Sequence, residues 1–432
     1  MTTRAIPAPP RPPIAAADVP GDCRTDDRGR NRTVRLNSSV QITGTGSLSD
    51  GRGNVSVVWT GPDCSVIIRL RGAPTFTEAE DDLASLSSNG RFEITDEDGS
   101  TDRSYVVTMR DGRLERRYRV DGRDAELDAE ARAWRQEMIV AFLRRSGFDA
   151  KARAERIRRT KGFDGLMAEI EAIPSDGGKT RYLTVALDQS DLTEAQIVRI
   201  LGLSQSIDSD GDRSAVLAGV PVRSLARVPV QRAYLEAVQG VDSDGDVAAV
   251  LIRLLETGSV DGSTCGYLLG LVREIGSDGD RSNVLVRSIP VFKNNLECQN
   301  RAIALTADIG SDGDKAGVLM EYVKQLGLEA GVRDAFFRAA ATIGSDGDHS
   351  AVLHRVIAAR SPAPSETTVL ALLENARGIG SDGDLAAVLV DAANAGLVRS
   401  AAARNAYLAT ARGIGSDGDR RAAFNAVGAA ER

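Results

Sequence analysis

A recurring turn restricts this chain's possible folds more than any other feature. The stretch "IGSDGDRSNVL" at 275–285 returns in close variants whose serines are Ser175, Ser209, Ser243, Ser277, Ser311, Ser345, Ser381 and Ser416. Their spacing is 34 residues five times, then 36 and 35. A period of this size means stacked supersecondary units, none of which can bury its apolar face alone, so neighbours must share one continuous core. This organisation spans residues 175–432.

Counting from each serine gives the content of a unit. Apolar pairs fall seven and eight residues on, as Val216/Leu217, Val250/Leu251, Val284/Leu285, Val318/Leu319, Val352/Leu353 and Val388/Leu389, and further apolar residues follow at helical spacing. Residues nine, eight, five and two before the serine are also mostly apolar, for example Leu268, Leu269, Val272 and Ile275, which makes a second amphipathic helix. A unit is therefore two helices, and the quoted turn joins it to the next.

The turn's residues suggest how it is built. Ile275 ends one helix, and Gly276 is expected to leave it in the left-handed conformation that glycine adopts without penalty. Ser277 caps the next helix through the Asp280 amide, and Asp280 is expected to reach back to the Ser277 amide as a variant capping box. The same reading makes Ser209, Ser243, Ser311, Ser345, Ser381 and Ser416 structural caps. Asp208 and Asp242 replace the first glycine in two copies, and the earliest copy, with Pro174 and Gly178, reads as an atypical end unit.

Capping leaves the middle glycine unexplained. Gly211, Gly245, Gly279, Gly313, Gly347, Gly383 and Gly418 occupy positions where alanine would favour a helix by ~1 kcal/mol. Their recurrence suggests close approach of a neighbouring backbone, or a bound ion. The string at 208–212 resembles the start of a calcium loop, yet Arg213 and Gly219 stand where the EF-hand pattern needs Gly and a bidentate Glu. Caps without a cofactor are the preferred reading. The alternative is calcium held by Asp210, Asp212, Asp244, Asp246, Asp278, Asp280, Asp312, Asp314, Asp346, Asp348, Asp382 and Asp384.

These turns also dominate the charge. The chain has 54 Lys+Arg and 61 Asp+Glu, a net charge of −7, and the turns alone supply 15 aspartates, so the remainder is net positive. A ladder of carboxylates would attract divalent cations or a basic partner and repel nucleic acid. Arg213, Arg281, Lys315 and Arg420 follow the second Asp and are placed to neutralise the adjacent unit's Asp, whereas Val247 and Leu385 depart from this pattern.

Upstream the hydrophobic period changes from 3.6 to 2. The runs "TVRLNSSVQITG", "NVSVVWTG", "CSVIIRLRG", "RFEIT", "SYVVTMR" and "LERRYRV" alternate like strands, and Asp98-Gly99, Asp111-Gly112 and Asp121-Gly122 are hairpin signals. The expected fold class is multi-domain α+β. A Pro/Ala-rich disordered leader (1–31) precedes a small antiparallel β domain (32–123), a helical junction and cap (124–174), and an α-solenoid with eight repeat starts and a truncated last unit (175–432). Residues 113–161 hold 15 Lys+Arg against 9 Asp+Glu. A solvated helix face is the preferred reading there, with an acidic partner or lipid headgroups as the alternative, and the segment lacks interleaved aromatics for stacking on nucleic acid. No apolar run reaches the ~18–20 residues of a membrane helix, and the leader has no signal-peptide core. Cys23 and Cys64 are candidates to pair in an oxidising compartment, and Cys265 and Cys298 read as buried thiols on second helices of neighbouring units.

The two-helix repeat resembles the HEAT/armadillo class of α-solenoids. Its length matches tetratricopeptide repeats, without that family's Trp, Gly, Tyr and Pro signature. The Ile-x-Ser-Asp-x-Asp-x-x-x-Val-Leu copies, preceded by "LERRYRVDGR" and "LMAEIEAI", are similar to a group of poorly characterised bacterial envelope-associated proteins, some of which carry the module beside a membrane zinc-peptidase of the antibiotic-sensor type. This chain has no His-Glu-x-x-His, so that activity does not carry over. The resemblance implies a solenoid with a β domain, and an envelope or periplasmic location over a cytoplasmic one.

Catalysis has little support. The two histidines, His349 and His354, are five apart on a repeat helix and face different ways. No Gly-x-Ser-x-Gly, P-loop or dinucleotide fingerprint occurs. The reading that remains is a non-catalytic protein-binding scaffold, with a calcium-binding structural or adhesive module as the alternative.

Overall fold

The computed structural model describes residues 39–60, 65–97, 101–359 and 363–429. The leader, Cys23, Cys64 and the Asp98-Gly99 turn lie outside the described residues. The chain divides into two compact units, one comprising residues up to Leu192 together with Gly202–Gly219, the other Thr193–Leu201 and Val220–Arg432.

The first unit is built on an antiparallel sheet. Its strands are β1 (Ser39–Thr45), β2 (Gly53–Thr60), β3 (Ser65–Gly72), β6 (Arg91–Glu97), β7 (Asp102–Arg110), β8 (Arg113–Val120) and β9 (Arg123–Asp124), hydrogen-bonded in that order. Between β3 and β6 the chain forms a small two-stranded sheet, β4 (Pro74–Phe76) with β5 (Leu83–Leu86). The sequence reading missed this piece, because strands this short carry too few alternating residues to show a period. In register, Val57 lies opposite Ile68, Ile68 opposite Ile94, and Ile94 opposite Tyr105, so period 2 delivers one continuous buried row. Trp134, Met138, Ile139, Phe142 and Leu143 of helix α1 (Ala129–Ser146) pack in the same core. Asp111-Gly112 and Asp121-Gly122 turn with φ of 48° and 74°, and of 50° and 76°. Two positive φ values in succession are what a tight hairpin with right-twisted strands needs.

The helices that follow are α2 (Ala150–Glu171), α3 (Asp176–Leu187), α4 (Glu194–Ser204), α5 (Asp210–Gly219), α6 (Val222–Leu225), α7 (Val228–Val238), α8 (Asp244–Leu255), α9 (Gly262–Glu274), α10 (Asp278–Ser288), α11 (Leu296–Thr306), α12 (Asp312–Leu326), α13 (Ala330–Ala340), α14 (Asp346–Ile357), α15 (Glu366–Ala376), α16 (Asp382–Asn394), α17 (Ala401–Ala411) and α18 (Asp417–Ala426). In the second unit the even members from α8 to α18 pack one on the next, as do the odd members from α7 to α17, and chain neighbours such as α8 and α9 or α12 and α13 also touch. Helix pairs therefore stack on helix pairs. The Val/Leu pairs, such as Val284/Leu285 and Val352/Leu353, are buried at the centre, as are Leu268, Val272 and Ile275 from the opposing layer. Among the described residues no helix is long and apolar enough to cross a membrane.

Candidate functional site

The repeated turns are the first candidate, and their hydrogen bonds show what they do. The Ser277 hydroxyl accepts from the Asp280 amide at 3.3 Å, and Ser209, Ser243, Ser311, Ser345, Ser381 and Ser416 do the same within 3.3–3.5 Å. Ser175 differs: it makes no such bond, and its hydroxyl donates to the Arg145 carbonyl at 2.7 Å. A Cβ at Gly178 would lie 2.4 Å from the Arg144 carbonyl oxygen, so the glycine of this first copy admits a neighbouring backbone.

The return arm of the expected capping box is not made. The Ser277 amide donates to Asp244 Oδ2 at 2.8 Å, and the Gly276 amide to Asp244 Oδ1 at 3.0 Å. Asp244 is the first aspartate of the preceding turn. Asp278 takes the amides of Gly310 and Ser311 at 2.9 and 2.8 Å, Asp312 those of Gly344 and Ser345 at 3.1 and 2.8 Å, and Asp382 those of Gly415 and Ser416 at 3.0 and 2.8 Å. Asp346 takes the Gly380 amide at 2.8 Å, and in the first unit Asp176 takes those of Asp208 and Ser209. Each carboxylate thus fastens its own turn to the next one. The amides of Gly344 and Ser345, with Lys315, hold the Asp312 carboxyl below the usual carboxylate range.

Two glycine readings change as a result. Gly276 is not left-handed, nor are its equivalents in later turns. Its lack of a side chain serves close approach: a Cβ at Gly310 would sit 2.9 Å from Asp278 Oδ2, and one at Gly276 3.3 Å from Asp244 Oδ2. The middle glycines, from Gly211 to Gly418, have no atom within 4 Å of such a Cβ, so no neighbouring backbone approaches them.

The basic residue after the second Asp does not neutralise the adjacent unit's carboxylate. Arg281 donates to the carbonyls of Ile275, Arg273 and Asp308, and Lys315 to the carbonyl of Thr342 and to Asp312 of its own turn. The carboxylate it was expected to meet is already taken by amides, whereas helix C-terminal carbonyls lack partners. His349 occupies the equivalent position, is buried, and bonds Asn375 at 2.7 Å, while His354 meets Asp391 at 2.8 Å. The histidines therefore have separate environments.

The cation candidates Asp210, Asp212, Asp244, Asp246, Asp278, Asp280, Asp312, Asp314, Asp346, Asp348, Asp382 and Asp384 are spread along the turns. Among the described residues no group of three or more His, Cys, Asp or Glu side chains is placed to hold a metal.

Cys265 and Cys298 are not thiols. They form a disulfide from α9 to α11, with Cα atoms 6.2 Å apart, and both are buried. Sequence reading placed them on neighbouring second helices but could not tell whether their Cβ vectors converge, which is what a disulfide requires.

A second polar cluster lies in the first unit. Arg153 of α2 is 2% exposed and reaches Glu80 and Glu169 at 2.7 Å each and the Tyr182 hydroxyl at 3.2 Å. Arg144 adds a bond to Glu169 at 2.6 Å, and Arg156 one to Glu80. Burial alone would raise the Glu169 carboxyl, but the hydrogen bond from Arg144 and the two guanidinium charges hold it down at about 2. Burial pushes nearby Asp149 up to about 6, against the attraction of Arg156. The basic junction is thus only partly a solvated face, since Arg153 and Arg135 are buried. Sequence offered no signal for this, because Glu80 sits in a polar loop 73 residues before Arg153.

No protein-family model matches the chain, and no curated protein matches it significantly.

Proposed function

We propose that the second unit is an α-solenoid of about 34-residue repeats that acts as a non-catalytic protein-binding scaffold. The observation that supports this is the single contact repeated from turn to turn, in which one Asp carboxylate takes the two amides of the next turn. That use makes the acidic ladder a mechanical feature, so recognition falls to the exposed faces of the helices. Val228 and Leu296, 45% and 49% exposed, open two of the odd-numbered helices and present apolar side chains to solvent on that layer.

The buried Cys265–Cys298 disulfide supports a location in an oxidising compartment of the cell envelope. Photo-crosslinking residues introduced at Val228, Leu296 and Asp280 would test the scaffold reading. We expect one recurring protein adduct from the first two positions and none from the third. Adducts from Asp280 alone would shift recognition to the acidic edge, and no adduct from any position would overturn the reading.

A further inference from the structure

The residue four places after each capping serine usually supplies a cation to helix ends. Arg281 shows the arrangement in full. Its Nε donates to the Ile275 carbonyl at 2.9 Å, its Nη2 to the Arg273 carbonyl at 3.2 Å, and its Nη1 crosses to the Asp308 carbonyl of the next repeat at 2.8 Å. Lys315 Nζ reaches the equivalent crossing carbonyl, that of Thr342, at 3.0 Å, and Lys179 Nζ reaches that of Ser206 at 3.1 Å. Arg213 and Arg420 repeat the near half of the fork on Ile207 and Ile414. These carbonyls are orphan acceptors at helix C-termini, where positive charge also meets the negative end of the dipole.

Three repeats of the second unit depart from the series, with Val247, His349 and Leu385. Val247 and Leu385 have no donor to give, and of these two only at Val247 does a cavity open. The carbonyls corresponding to those held by Arg281 belong to Gln239, Val241 and Glu274. A cavity of about 580 Å³ opens at this place, lined among others by Val247, Gln239, Asp242, Tyr267, Gly270 and Glu274. Gly270 widens it, since a Cβ there would meet no atom within 4 Å. Asp242, Asp244 and Glu274 are its acidic lining residues, and no basic residue is among the lining.

We propose that this cavity is a binding site for an external guanidinium group, which takes the place that Arg281 fills from within one repeat later. A planar fork can hold all three carbonyls at once, as Arg281 does, whereas of the equivalent three the ammonium of Lys315 or Lys179 reaches only the crossing one. The guanidinium belongs either to an arginine side chain of a peptide or to a free alkylguanidine. The site stands independently of the scaffold reading, because it follows from the Val247 repeat alone.

Calorimetric titration of the full chain with acetyl-argininamide, methylguanidinium and acetyl-lysinamide tests the proposal. We expect one saturable site, with the arginine derivative bound about tenfold more tightly than the lysine derivative. Val247→Arg places a guanidinium in the cavity from within the chain and should weaken binding about tenfold or more. Gly270→Leu fills the space without charge and should do the same, so the result does not depend on one variant folding. Leu385→Arg changes the other apolar copy and should leave affinity within about twofold. Equal binding of methylguanidinium and acetyl-argininamide would identify a free alkylguanidine as the source, tighter binding of an arginine-containing peptide would identify a peptide, and either supports the site. Absence of saturable binding, equal affinity for the lysine derivative, or binding that survives both Val247→Arg and Gly270→Leu would overturn it.

Discussion

The two units hold their charges in opposite ways. In the first, Arg153 is buried and joins Glu80, 73 residues earlier, to Glu169, 16 residues later. In the second, each carboxylate contact is partly wet and recurs at separations of 32 to 34 residues. A buried charge with unique partners is a point of failure, because removing one member strands the others in low dielectric. A repeated local contact fails one step at a time, since each unit depends only on its neighbours.

The largest expected effect tests the first half of that contrast. Arg153→Met should cost the first unit about 3–5 kcal/mol, because Glu80 and Glu169 lose their buried counter-charge. Hydrogen exchange should show faster opening in β2, β3 and α1 while α12 to α18 keep their protection. A loss below about 1 kcal/mol would mean that the cluster is solvated and worth no more than a surface pair.

Next comes the disulfide. Cys265→Ser with Cys298→Ser releases a closure of 33 residues and should cost the second unit roughly 2–4 kcal/mol. The same loss should follow reduction of the unaltered chain, read as a lower melting temperature with reductant. Equal melting under both conditions would remove the disulfide as a support for an oxidising compartment.

Asp278→Ala removes the acceptors of the Gly310 and Ser311 amides and should cost about 1–3 kcal/mol. Asp417→Ala, whose carboxylate meets Arg420 of its own turn, should cost under about 1 kcal/mol. Chemical denaturation of the two variants decides the matter. Equal losses would mean that the bond between turns adds nothing beyond the charge at the helix start.

The pH dependence of the first unit has two opposed parts. Glu169 is depressed to about 2 from an ordinary 4.5, so its contribution is present above pH 4.5 and is lost as the pH falls toward 2. Asp149 is raised to about 6 from an ordinary 3.8, so its contribution is full below 3.8 and is lost as the pH rises through 6. Asp149→Asn should therefore raise the melting temperature at pH 7 and remove its decline between pH 4 and 6. An unchanged profile would place Asp149 in solvent.

The smallest effect is a gain. Gly279 has open space where its Cβ would project and no positive φ. Gly279→Ala should stabilise the chain by roughly 0.4–1 kcal/mol. A loss instead would indicate that the middle glycine is kept open for a ligand.

The readable part of the turn was its local chemistry. Ser277 caps through an amide three residues away, and Val284 and Leu285 reach the core because helical geometry places them there. Neither depends on anything beyond a few residues. The role of Gly276 was misread for the same reason: seen locally, a glycine after a helix suggests a left-handed exit, and only the arrival of Asp244 from the previous turn shows that it provides clearance.

By itself, then, the sequence determined the paired helices, the serine caps and the alternating strands, all set by interactions that close within a turn or a pleat. The tertiary structure decided that Asp278 fastens Gly310 and Ser311, that Cys265 meets Cys298, that Arg153 lies between Glu80 and Glu169, and that a cavity opens beside Val247. Each of these depends on which backbone lies beside which after packing. Distance along the chain says nothing about that until neighbouring helices and strands are in register.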